Sequence, residues 1–343
     1  MTPGWPAAGA GTPMRAAIAA LGLALGLAAT GLATAGTVER WREAWPETDF
    51  DRHAVPLSEI RSGAPPRDGI PPIEDPRFEP VEAARDRIAA REPVISLDIS
   101  GDARAYPLSI LIWHEIVNDT VGGTPVAVTY CPLCNTGIVF ERVVDGTVTT
   151  FGTTGKLRHS DLVMYDRATE SWWQQYGGRA IVGEKTGDEL DAVLSHMESF
   201  ADFAERHPKG RVLRPPEGSR RAYGRNPYEG YDASSRPFLY DGTYDGPGSP
   251  LMRVVTVPGR AEAWSLALLR QKGRLRAGDL ELSWRPGQAS ALDSARIAEG
   301  RDVGSVTVMR VGEDGARGAI VHKIPFAFAF RAFNPGAPIH HPD

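Results

Sequence analysis

From Val94 to Leu108 the chain reads "VISLDISGDARAYPL", apolar and polar residues alternating on both sides of Gly101-Asp102. A period of two around such a turn predicts a β-hairpin. "SILIWHEIVNDTVGG" follows as a helix or strand running into a turn, and "TPVAVTY" reads as a buried strand. "GIVFERVVDGTVTTFGTTG" predicts a second hairpin around Asp145-Gly146, and "SDLVMYDRATESWWQQYGGRAIVG" continues in strand style. The period lengthens in "LDAVLSHMESFADFAERHP", where Val193, Leu194, Met197, Phe200, Ala201 and Ala204 fall on one face at helical spacing. Residues 36–92 have neither period. "SGAPPRDGIPPIEDPRFEP" is too rich in proline for the interior of a helix or sheet, so this stretch is an irregular lead-in with one short helix in "VEAARDRIAARE".

Parts of the pattern recur. "GDARAYPLSIL" from Gly101 is echoed by "GRAEAWSLALL" from Gly259, and "FAERHP" by "FRAFNP". "VTYCPLCNTGIVFERVVDGTV" is echoed by "LSWRPGQASALDSARIAEGRD", with Asp145-Gly146 set against Glu299-Gly300. The order of the three blocks is preserved, which predicts an internal repeat. The expected fold is α+β and β-rich: two related β-rich units, the second shortened by loss of the segment between Gly155 and Gly178. The first unit spans 93–215, a connector 216–250, and the degenerate second unit 251–343. At the places of Cys131 and Cys134 the second unit has Arg285 and Gln288. Charged and amide replacements predict a turn that faces outward or into a site, not one that fills core volume.

Composition narrows the class. A length of 343 residues, 42% hydrophobic and 24% charged, is an ordinary globular composition of about two domains. A net charge of -5 offers no electrostatic footprint for nucleic acid. Arg15, the apolar run "AAIAALGLALGLAATGL" and Ala33-Thr34-Ala35 form a secretory-signal pattern over residues 1–35, with Met14 an alternative start. The chain is therefore expected outside the cytoplasm, periplasmic or extracellular, with no membrane association beyond an N-terminal anchor if the leader is retained.

The chain has two cysteines, Cys131 and Cys134, in "TYCPLCNTG". A C-x-x-C turn between strands can aim both sulfurs at one ion, which is half of a zinc-ribbon site. A thioredoxin-like redox pair uses the same spacing but needs a helix starting behind the first cysteine. A structural disulfide closing so short a loop removes little chain entropy. Metal ligation is the favoured reading, and with only two cysteines the other ligands must come from elsewhere. His114 in "WHEIVND" is the nearest histidine, with Glu115, Asn118 and Asp119 placed to orient its ring. His159, Asp161 and Met164 are further candidates lining the site; sulfur, imidazole and thioether together favour copper over zinc or iron. Trp172 and Trp173, followed by Gln174 and Gln175, are either core or the wall of a ligand pocket. The favoured function is binding a transition metal for metal handling or redox chemistry. The alternatives are a thiol-disulfide oxidoreductase acting on a thiol substrate through Cys131 and a non-catalytic module for a small molecule.

"ARAYPLSILIWHEIVNDTVGGTPVAVTYCPLCNTGIVFERVVDG" followed by "SDLVMYDRATESWWQQYGGRAIVG" resembles the DUF3179 family, a bacterial domain of unknown function in exported proteins. The resemblance runs from about Pro93 to Pro338. It implies that His114, Cys131, Cys134, Ser160, Asp161 and Trp172 stand in signature blocks. His159 departs from the family pattern, which more often has Asn there. The resemblance leaves the choice between metal and thiol chemistry open.

Overall fold

The computed structural model describes residues 36–63 and 65–342. The expected leader, 1–35, lies outside the described residues. The chain divides into two units, 1–46 and 47–343. In the first, residues 36–44 are helical. All that follows concerns the second.

Five larger sheets and one two-stranded ribbon build this unit, in an arrangement like a five-bladed propeller. With 16% helix and 36% strand it is the expected β-rich α+β class. The five sheets replace the expected two separate units. One sheet joins Ile60–Ser62, Phe151–Arg158, Asp161–Asp166, Trp172–Gln174 and Arg179–Val182, in that order. The next joins Ala192–Val193, Thr136–Glu141, Thr124–Cys131 and Ile116–Val121. A third holds His196–Ser199, Pro93–Ile99, Asp102–Pro107, Arg211–Leu213 and Phe78–Pro80. Two more come from the C-terminal part: Val254–Thr256 with Ala263–Ser265 and Ile339–His340, and Arg274–Ala277 with Leu280–Arg285, Ser305–Val311 and Arg317–Ala319. One apolar core runs through residues of both expected units, from Ile95 and Val128 to Leu282 and Phe328.

The first predicted hairpin forms whole and the second only at its tip, since Thr136–Glu141 and Phe151–Arg158 belong to different sheets. Pro93–Ile99 pairs with Asp102–Pro107, and a two-residue turn at Asp145-Gly146, both at positive φ, joins Val143–Val144 to Thr147–Val148. "SILIWHEIVNDTVGG" divides into a helix, Leu108–His114, and a strand, Ile116–Val121. The proline-rich lead-in is not wholly irregular, since Ile60–Ser62 and Phe78–Pro80 are edge strands.

The predicted helix over 190–208 is corrected. Only Phe200–Arg206 is helical. Met197 and Glu198 pair across to Ile95 and Val94, burying the Met197 side chain under the sheet. Ser199 then stops the strand and starts the helix, its Oγ accepting from the Asp202 N–H at 3.1 Å. The helical spacing of Val193 and Leu194 was coincidental, and Leu194 is exposed. Among the described residues no helix is long and apolar enough to cross a membrane.

Candidate metal and thiol site

The strand Thr124–Cys131 is buried along most of its length, as its apolar run requires. It reverses through Pro132, Leu133, Cys134 and Asn135 into Thr136–Glu141, with Cys131 opposite Thr136 in the ladder. The Asn135 N–H donates to the Pro132 carbonyl at 3.3 Å, and Asn135 takes the positive φ, 54°, that the reversal needs. Asparagine tolerates that conformation better than most residues. Gly137 serves close packing. A Cβ there would lie 2.8 Å from Ile95 Cδ1 and 2.9 Å from Met197 Cε.

Both cysteines are unbridged and buried, 1% and 0% exposed. The turn therefore does not face outward. Its other wall is a second reversal, His159-Ser160, where both residues have positive φ, 53° and 63°. That reversal delivers the Ser160 carbonyl to 3.3 Å from Cys134 Sγ and 3.7 Å from Cys131 Sγ. It also starts the strand that carries Asp161. The two sulfurs and an Asp161 carboxylate oxygen lie within 4.8 Å of one another, all three residues buried.

Hydrogen bonds fix Asp161 in place. The Gln174 side-chain amide donates to Oδ2 at 2.6 Å and the Tyr176 N–H at 2.8 Å, while Thr136 Oγ1 lies 3.2 Å from Oδ1. Gln175 ties the wall together by donating to Thr129 Oγ1 and to the Thr136 carbonyl. Burial pushes the Asp161 carboxyl up to about 6, against those three hydrogen bonds. Burial also raises both thiols, Cys134 well above its ordinary range with Cys131 as its next influence. Each sulfur is thus a protonated thiol at neutral pH, ready to exchange its proton for a cation but poorly suited to attack.

Lys323 closes the site from the C-terminal part. Its ammonium donates to the Tyr176 carbonyl and sits 4.6 Å from the centre of the Tyr176 ring. The peptide N–H of that same Tyr176 holds Asp161. Burial pushes Lys323 down to about 8, with the Asp161 charge acting the other way. The turn is tied to the same segment, since Phe326 N–H donates to the Cys134 carbonyl and Asn135 Nδ2 to the Ile324 carbonyl, both at 2.8 Å. Lys323 escaped sequence reasoning. The available signal was a lone lysine in the apolar run "AIVHKIPFAFAF".

The other expected residues lie as follows. His114 keeps both ring nitrogens occupied, by the Pro71 carbonyl at 2.8 Å and Tyr223 Oη at 2.7 Å, and stacks on Tyr223. No histidine nitrogen completes the cysteine group among the described residues. Nor do its neighbours orient it. Asn118 holds Phe151 and Glu74, Asp119 pairs with Arg104 and Tyr106, and Glu115 borders a separate cavity. His159 turns its ring away from the sulfurs, 3.5 Å from Glu59 and edge-on to Phe333. It lines a cavity of about 480 Å³ with Tyr240, Asp241 and Arg331, while its carbonyl lies 3.9 Å from Cys134 Sγ. Met164 is on the sheet face opposite Asp161, about 10 Å along the same strand. Trp172 and Trp173 are core, Trp173 donating to Asp166 at 2.8 Å and Trp172 packing edge-on to Phe50.

No curated protein and no solved structure matches the chain. A family model does, over residues 67–337, and its range holds the cysteine turn, the His159-Ser160 reversal, Asp161 and Lys323. The chain belongs to the DUF3179 family, described as a protein of unknown function.

Proposed function

We propose that the protein binds one transition-metal ion through Cys131 Sγ, Cys134 Sγ and an Asp161 carboxylate oxygen. The observation that carries this reading is the mutual reach of the three donors, all within 4.8 Å and all buried. Tetrahedral zinc with bonds of about 2.0–2.3 Å sets its ligand atoms about 3.3–3.8 Å apart, which side-chain adjustments of about 1 Å reach from here. Two thiolates and a carboxylate carry three negative charges. A divalent ion leaves one, and the Lys323 ammonium two bonds away offsets it. A buried charge is tolerated only when so compensated. That balance favours a divalent ion such as zinc or ferrous iron. Copper loses the support that Met164 lent it, because Met164 faces away.

Metal analysis of the full-length chain purified from an export compartment tests this. About one ion per chain is expected, lost in both Cys131→Ser and Cys134→Ser while circular dichroism stays unchanged. Metal content unaffected by Cys131→Ser would sink the proposal. The dithiol-redox reading fares less well. A strand, Thr136–Glu141, follows the cysteines where a helix was needed, and burial raises the thiols it needs lowered.

We also infer that the sites's frame arose by duplication. Ala263–Ser265, Leu266–Lys272, Arg274–Ala277, Leu280–Arg285 and Ser305–Val311 follow one another as Asp102–Pro107, Leu108–His114, Ile116–Val121, Thr124–Cys131 and Thr136–Glu141 do. Ile116 pairs with Thr129 as Arg274 pairs with Ser283, which sets Arg285 at the place of Cys131. Asp145-Gly146 and Glu299-Gly300 do not correspond, since one follows the last of these strands and the other precedes it. Crystal structures of further family members should keep this order in both segments; an unrelated order in either would refute it.

A further inference from the structure

A second feature lies beside the cysteine turn and plays no part in metal binding. A cavity of about 110 Å³ is walled by Ile70, Leu133, Leu157, Leu162, Phe238 and Leu239, with Glu115, Lys156, Tyr228 and Thr153, whose hydroxyl donates to the Ile70 carbonyl, as its polar members. Glu115 is 8% exposed and its carboxyl makes no hydrogen bond among the described residues. Burial, then the Asp161 charge, act on it and favour the protonated acid. Its backbone is held in an uncommon conformation, φ 60° and ψ −31°, at the end of the helix Leu108–His114. The Glu115 N–H donates to the Leu111 carbonyl at 2.7 Å, and its own carbonyl accepts from Tyr130 at 2.8 Å. Such strain persists only where the surroundings enforce it, and it concentrates at functional positions. A carboxylic acid set in an apolar wall with no hydrogen bond to its surroundings leaves a donor that a ligand can satisfy.

We propose that this cavity binds a small uncharged molecule of about four heavy atoms, with an apolar body and one hydrogen-bond acceptor that takes the Glu115 acid proton. The size follows from comparison with a cavity of about 150 Å³, which just holds benzene. The chemistry follows from the walls. Six apolar side chains surround one acid O–H, and the Tyr228 hydroxyl offers a second polar contact. Lys156 is the one cation at the wall, and burial pushes it toward its neutral form. An anion would face the negative influence of Asp161 across Glu115. Ketones, simple amides and secondary alcohols fit this description; carboxylates and benzene-sized rings do not.

The site is tested on chelator-washed full-length protein, so that failure here says nothing about the metal. Leucine-methyl NMR follows Leu133, Leu157 and Leu162 during titration with acetone, acetamide, acetate or benzene. Saturable shifts with acetone or acetamide are expected, with a dissociation constant of roughly 0.1–10 mM for so small a ligand. Glu115→Gln keeps a donor and should retain binding within about threefold. Glu115→Met keeps the volume without the donor and should weaken binding at least about tenfold, while melting as a folded protein. Three results would overturn the proposal: no saturable shift with either probe, equal binding by Glu115→Met, or tighter binding of acetate than of acetamide.

Discussion

Glu115 makes a pH dependence of stability that can be worked out in advance. Its carboxyl titrates near 8 in the folded chain against 4.5 ordinarily, because it is buried and lies in the field of Asp161. Between those values the folded chain keeps a proton that the unfolded chain has lost. Raising pH therefore favours unfolding, by about 1.4 kcal/mol per pH unit per group. Asp161 acts with the same sign but only up to about 6. Between pH 6.0 and 7.5 Glu115 alone of the two should cost about 2 kcal/mol of stability, visible against a total of about 5–15 kcal/mol. His114, His159, His207 and His322 are pushed below their ordinary values, chiefly by burial, and act in the opposite direction. Their contribution cancels when the chain is compared with Glu115→Gln, which cannot ionise. Urea unfolding of both chelator-washed proteins at the two pH values gives the double difference. A double difference below about 0.5 kcal/mol would refute the reasoning, because a carboxyl that is charged at pH 6.0 contributes no such slope.

Zinc binding should release two thiol protons, so apparent affinity should rise about 100-fold from pH 7 to pH 8 in competition with a chromophoric chelator; a flat profile would show that the sulfurs are not ligands. Lys323→Met removes the compensating charge and should lower metal affinity at least about tenfold while both thiols remain titratable after unfolding; unchanged affinity would discount the charge balance. Ser199→Ala deletes the cap of Phe200–Arg206 and should cost about 1 kcal/mol in urea unfolding; no loss would mean that the cap is idle. A chain ending at residue 215 should leave Cys131 and Cys134 open to a thiol reagent within seconds, whereas the intact chain protects them; equal protection would mean that the C-terminal segment does not support the turn.

The hairpins were legible from their turn residues, Gly101 and Asp145-Gly146, but the period of two did not report burial, since Pro93–Leu97 and Ala103–Pro107 are buried on both faces. The helix over 190–208 was misjudged because two short strands and a capped helix, laid end to end, imitate a helical period. Cysteine spacing announced a turn with two sulfurs aimed alike. Asp161 was read as a site-lining candidate beside His159, and the structure makes it the nearer of the two to the sulfurs. Two consecutive residues at positive φ turn the chain at His159-Ser160, so the aspartate faces the sulfurs and the imidazole faces away. Nothing in residue order encodes that reversal, since neither residue is glycine. His114 invited suspicion by proximity in sequence, but two strands separate it from the turn, and its ring meets Pro71 and Tyr223. Lys323 lies nearly two hundred residues from the cysteines, and only the closed fold brings it to them.

The unfavourable conformations have a distribution that bears on function. Glu115, Asn135, His159 and Ser160 all hold positive φ without being glycine, and all four border the cysteine turn or the cavity beside it. Each such residue costs on the order of 1–3 kcal/mol where its side chain does not favour that region. Positive φ without glycine also occurs at Asp68, Ser100, Asp145 and Glu170, but the hairpin turns Ser100-Gly101 and Asp145-Gly146 pair it with a glycine, and the His159-Ser160 reversal does not. Retaining side chains at the strained positions preserves specific groups: the Glu115 acid at the cavity, the Asn135 amide on Ile324, and the Ser160 hydroxyl on Phe238. The backbone is thereby made rigid around two thiols and a carboxylate that have no structural need of one another. A scaffold that holds unbridged thiols beside a buried carboxylate in this way is preorganised for a ligand that neutralises all three, and a cation does so with the least rearrangement.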